Sequence, residues 1–257
     1  MDLRFAALPA FAMVAMAPTL LDATAAVERW LRPPEARPAI ASPVFHTLAA
    51  NPDLELPLPA PPACDRGRRG LASVARAEAW RLSRQRIPYN SIELSDCSGM
   101  AHRWLDALVD RCDGVEKPPV TVARSARALA AWYAHRGRLA RVDDPLDVDD
   151  ALTPGALVFF GAPGRTEVAL DEIFHMGMVF SVSRDAVGRV ESYRLFHALR
   201  PGKVASITRW HRRTSEPPFG NGTERLVAVA WPSEEMMPAG MGAVTEVPGA
   251  WAARSLQ

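Results

Sequence analysis

The order of two periodicities constrains this chain more than any other feature: apolar residues recur at helical spacing up to Gly137, and short apolar runs set off by turn residues take over from Pro154. Between Arg69 and Arg86, Leu71, Val74, Ala75, Ala79 and Leu82 share one helical face, and Pro88 ends the run. Glu78 falls on that same face and Trp80 on the opposite one, so the stripe is imperfect. A second helix is expected after Ser95-Asp96, whose side chains suit an N-cap, carrying Met100, Ala101, Trp104, Leu105, Leu108 and Val109 before Gly114. A third is expected from near Thr121, through Val122, Ala126, Leu129, Ala130 and Tyr133, to Gly137, a natural left-handed cap. Strands are expected at Ala156–Phe160, His175–Val182, Val190–Ala198, Lys203–Trp210 and Leu226–Trp231. Helices first and strands afterwards predict an α+β domain, with N-terminal helices packed on an antiparallel sheet.

The flanks have a different character. Phe5 to Leu21 is almost wholly apolar, follows Arg4, and leads into Ala23-Thr24-Ala25, which has the small-x-small form of a signal-peptidase site. Residues 1–25 therefore read as a cleaved export signal, and Pro9 and Pro18 argue against a spanning helix. Residues 26–66 read as a proline-rich linker or arm, 67–233 as the folded domain, and 234–257 as a loosely ordered tail. No second membrane span is expected, so the product reads as periplasmic or extracellular and as a monomer. The formal net charge of +1 gives no reason to expect nucleic acid as a partner. Small basic clusters at Arg66–Arg69 and Trp210-His211-Arg212-Arg213 read first as solvated surface.

Three cysteines cannot form a disulfide framework. Cys112 lies on the apolar side of its helix and reads most simply as a buried free thiol; pairing with Cys64 is the alternative in an oxidising compartment. Cys97 is different. It follows Asp96 at a helix start, where unpaired backbone N–H groups and the helix dipole favour a thiolate and also suit the oxyanion of a tetrahedral intermediate. His175 opens one strand and His197 closes the next across a hairpin, so one imidazole can act on the thiol while the other orients it. The five aspartates from Asp143 to Asp150 lack the glycine and closing glutamate of a calcium loop, and Asn221-Gly222-Thr223 reads first as a turn. No zinc-ligand spacing or phosphate-cradling glycine loop is present in the sequence, so neither a metal nor a cofactor is expected.

Three segments, taken in order, resemble the NlpC-type cell-wall cysteine peptidases. Asp96-Cys97-Ser98-Gly99-Met100 is similar to that family's nucleophile motif. Leu152-Thr-Pro-Gly-Ala-Leu-Val-Phe-Phe160 is similar to its Leu-x-Pro-Gly-Asp-Leu-Val-Phe-Phe strand, and His175-Met-Gly-Met-Val179 to its His-Val-Gly-Ile-Tyr segment. Phe196-His197-Ala198 resembles the pair holding the third catalytic position. The likeness spans about residues 70–212 and implies a papain-like fold with Cys97 as nucleophile, His175 as base and His197 as orienting residue. It departs at Ala156, where the family has Asp, in the long loop from Phe160 to His175, and in the longer hairpin between the histidines. The family's Tyr-x-Trp-Gly-Gly stretch is replaced by Ile87-Pro88-Tyr89-Asn90-Ser91, which leaves Tyr89, with Ser98, as a candidate for oxyanion or substrate contacts.

The resulting expectation is an exported thiol peptidase or amidase acting on amide bonds of peptidoglycan stem peptides. The alternatives are a secreted amidase, deamidase or acyltransferase acting on a protein or lipid, and a catalytically inactive wall-binding module.

Overall fold

The computed structural model of the chain describes Cys64 and residues 67–164 and 169–239. The expected signal at 1–25, nearly all of the proline-rich arm and the tail beyond 239 lie outside the described residues.

Among the described residues three α-helices come first: α1 (Arg68–Arg84), α2 (Cys97–Val109) and α3 (Ala126–His135). Six strands follow: β1 (Leu139–Arg141), β2 (Leu157–Gly161), β3 (His175–Arg184), β4 (Val190–His197), β5 (Ser206–His211) and β6 (Arg225–Ala230). They form one sheet in the order β1-β6-β2-β3-β4-β5, every neighbouring pair antiparallel. The chain is thus α+β, with all three helices touching β3. Among the described residues no helix is long and apolar enough to cross a membrane.

The burial pattern explains each element. The expected stripe of α1 (Leu71, Val74, Ala75, Ala79, Leu82) is buried, and Trp80 on the far face is 43% exposed. Glu78, the irregularity in that stripe, is buried as well, but its carboxylate meets Arg81 of its own helix and Arg111 just beyond α2. A buried charge survives in an apolar face only when paired in this way. Trp104 of α2 donates its indole N–H to the Ala75 carbonyl at 2.9 Å, which fixes α1 against α2. β2 lies between β6 and β3 with all five residues buried, the position its continuous apolar run calls for.

Three sequence expectations need correction. The third helix starts at Ala126 rather than near Thr121: Ser125 caps it by accepting from the Ala128 N–H, and Val122 is exposed. β1 was not expected, because three residues are too few to show a period, and it exists by pairing with β6. Cys112 is not a free thiol; it is bonded to Cys64 (S–S 2.04 Å, Cα–Cα 5.3 Å), tying residue 64 to the segment after α2.

Candidate active site

Cys97 is the first residue of α2, and the local sequence dictates that placement. Asp96 has extended backbone and accepts from the Gly99 N–H at 2.8 Å, a side-chain N-cap. Before it, Ser95 donates to the Pro88 carbonyl at 2.7 Å, and Leu94 has a positive φ of 53°. Gly99 packs against that bend: a Cβ there would come within 2.3 Å of the Leu94 carbonyl carbon. Glycine at this position is a steric requirement. Arg124 braces the turn from outside, bonding Asp96 at 3.0 Å and the Ser98 hydroxyl at 2.8 Å and reaching the Ser91 carbonyl.

The two histidines come from adjacent strands. His175 Nε2 and His197 Nδ1 share a hydrogen bond of 2.8 Å, and His197 Nε2 lies 2.8 Å from the Thr208 hydroxyl on β5. The Trp210 indole donates to that same hydroxyl at 2.8 Å. Phe160, the register partner of His175 on β2, stacks on the His175 ring at 5.7 Å and on Trp210 at 5.0 Å between centroids. Both histidines are buried.

Cys97 and His175 open into one cleft of about 420 Å³, shared with Tyr89, Phe174, Arg200 and Glu224. The structure therefore brings Cys97, His175 and Tyr89 together at the cleft, with His197 behind His175. Ser98 stands apart. It is 2% exposed, and its hydroxyl donates to the Arg124 carbonyl at 2.7 Å, so it supports the helix start and does not line the cleft. Its backbone N–H and that of Met176 favour the Cys97 thiolate.

The electrostatics run against a simple helix-terminus argument. Burial, and then the Asp96 carboxylate, push the Cys97 thiol up to about 11, outweighing the two backbone N–H groups and Arg124. Burial lowers His175 to about 4; burial and then His175 lower His197 to about 3. At neutral pH the cleft thus holds an uncharged thiol and an uncharged imidazole. Desolvation and the nearby Cys97 also raise the Tyr89 phenol.

Several residues here carried no sequence signal. Thr208 and Trp210 reach the dyad only because β5 pairs with β4. Glu224 is 6% exposed, held up from the usual carboxylate range by burial, and bonded to the Asn221 amide at 2.7 Å. Asn221 and Glu224 close the turn expected around Gly222. The basic run at 210–213 is divided: Trp210 is buried, and Arg212 pairs with Asp149, one of the loop aspartates considered for calcium.

Comparison with protein-family models, with curated proteins and with solved structures finds no match to this chain.

Proposed function

We propose that this chain is a cysteine peptidase or amidase of NlpC type, papain-like in arrangement, that is exported and hydrolyses peptide or amide bonds in peptidoglycan stem peptides. One observation carries the reading: a thiol at a helix start and an imidazole share a cleft, and the imidazole's other nitrogen is held by a second imidazole. Nucleophile, base and orienting group are the three parts that thiol acyl transfer needs. The order of the motifs along the chain supports the family, and the antiparallel α+β architecture is compatible with it.

In the proposed mechanism His175 Nδ1 takes the Cys97 proton as the sulfur attacks the amide carbonyl. The uncharged resting pair makes this a transfer that accompanies attack, since no thiolate is stored beforehand. The oxyanion meets the Cys97 backbone N–H, which has no helical acceptor, and the Tyr89 hydroxyl. The imidazolium then protonates the leaving amine, and a water activated by His175 releases the acyl group and restores the thiol. An amine in place of that water would give acyl transfer.

A second reading, a non-catalytic wall-binding module, is favoured by the height of the thiol at about 11. Digestion of purified peptidoglycan by the chain and by its Cys97→Ala variant separates the two. New stem-peptide fragments from the wild type alone are expected; equal products from both variants would remove the enzyme.

A further inference from the structure

Beyond His197 the hydrogen-bond chain continues to a residue outside the thiol and its two histidines. His197 Nε2 faces the Thr208 hydroxyl at 2.8 Å, and the Trp210 indole donates to the same oxygen at 2.8 Å. An indole N–H never accepts, so one lone pair of Thr208 is always taken. The remaining groups can run in two directions. If Thr208 donates to His197 Nε2, the proton of His197 lies on Nδ1 and points at His175 Nε2. His175 must then carry its own proton on Nδ1, where no thiol proton can be received. If Thr208 accepts from His197 Nε2–H, His197 Nδ1 accepts from His175 Nε2–H, and His175 Nδ1 is free.

The charged state decides between them. Once His175 holds the Cys97 proton, both of its nitrogens carry hydrogens, and its Nε2–H needs an acceptor at His197 Nδ1. That requires the proton of His197 on Nε2, facing Thr208. The Thr208 hydroxyl proton has an outlet, because His197 and Thr208 line a second cavity of about 420 Å³. The titratable and charged groups near the pair are Cys97, Tyr89, Arg200 and Glu224 in the first cleft, Asp96 at the helix start, and Arg209 and Glu216 in the second cavity.

We propose that Thr208, clamped by the Trp210 indole, is a positioning residue that accepts the His197 Nε2 proton and so holds His175 in the tautomer with Nδ1 free. This rests on the cysteine-hydrolase reading above, and Thr208 acts only through His197.

Imidazole 15N NMR of the whole chain at neutral pH tests it directly, with His175 and His197 assigned by substitution. Protons on Nε2 of both rings are expected; a wild-type His175 protonated on Nδ1 would overturn the proposal without any variant. Thr208→Val should bring in the Nδ1–H form of both rings and slow Cys97 alkylation by chloroacetamide at pH 7 about tenfold, and Thr208→Ser should restore both. Because Thr208→Val leaves the indole N–H without an acceptor, the double variant Thr208→Val with Trp210→Phe repeats the test with donor and acceptor removed together. Unchanged tautomers and alkylation pH profile in both variants would rule Thr208 out. His175→Ala separates the two levels. If it leaves alkylation untouched at every pH, the thiol–imidazole pair itself is wrong; if it slows alkylation while the Thr208 variants do nothing, only Thr208 loses its role.

Discussion

His175 and His197 meet diagonally across two strands. Met178 pairs with Phe196, so continuing the register sets His197 opposite Gly177, and His175 lies two residues further along the same face. Position 177 has no room for a side chain, because a Cβ there would come within 2.7 Å of Leu195, which shares the His197 face. The 2.8 Å bond between the imidazoles depends on that packing.

Thiol reactivity follows from the uncharged resting pair. Cys97 is expected to alkylate more slowly at pH 7 than an exposed cysteine, with the rate climbing toward pH 11 as the thiol ionises. Mass-spectrometric alkylation rates from pH 6 to 11 check this, and a plateau already reached by pH 7 would contradict it.

Acid should destabilise the fold through the dyad. Unfolded imidazoles protonate near 6.5, but in the fold His175 does so only near 4 and His197 only near 3. Between those values the unfolded chain binds more protons, so stability is complete above about pH 6.5 and falls as pH drops. The slope is about 1.4 kcal/mol per pH unit for each histidine. Urea midpoints at pH 7, 6 and 5 measure it. His102, which burial also lowers, adds to the slope, so His197→Asn should reduce it by less than half, and a midpoint independent of pH across this range would speak against a buried neutral pair.

Glu78→Ala should cost about 2–3 kcal/mol, below the usual range for breaking a buried pair because the two arginines it leaves behind are partly solvated. Thermal or urea unfolding reads this directly. A loss under about 0.5 kcal/mol would mean that the carboxylate does not join α1 to the end of α2.

Gly99→Ala forces backbone against backbone at Leu94, a contact no rotamer change relieves. A loss of about 1–3 kcal/mol and a fall in Cys97-dependent turnover are expected together, since residue 99 holds the turn that aims the thiol. Wild-type turnover in a folded Gly99→Ala protein would show that this bend tolerates displacement.

Reduction should lower stability by about 2–4 kcal/mol, because the Cys64–Cys112 bond closes a loop with a sequence separation of 48. Cys64→Ser should match the reduced wild type, and its unfolding should no longer respond to reductant. Equal midpoints for oxidised and reduced wild type would remove the bridge from the stability of the domain.

What the sequence determined by itself is local. Helical stripes, the Asp96 cap before Cys97 and the apolar run at β2 are properties of neighbouring residues, so α1, α2 and the order of helices and strands were legible within a few residues. The third helix was misplaced at its start because Thr121 and Ser125 both suit a cap, and only packing left Val122 outside. Tertiary structure decided whatever depends on which elements meet. It placed His175 and His197 on one face, brought Thr208 and Trp210 behind them, put Glu224 in the cleft and turned Ser98 away from it. It also reversed the expected sign at Cys97, because a helix terminus is a local field whereas desolvation is set by everything packed around the sulfur.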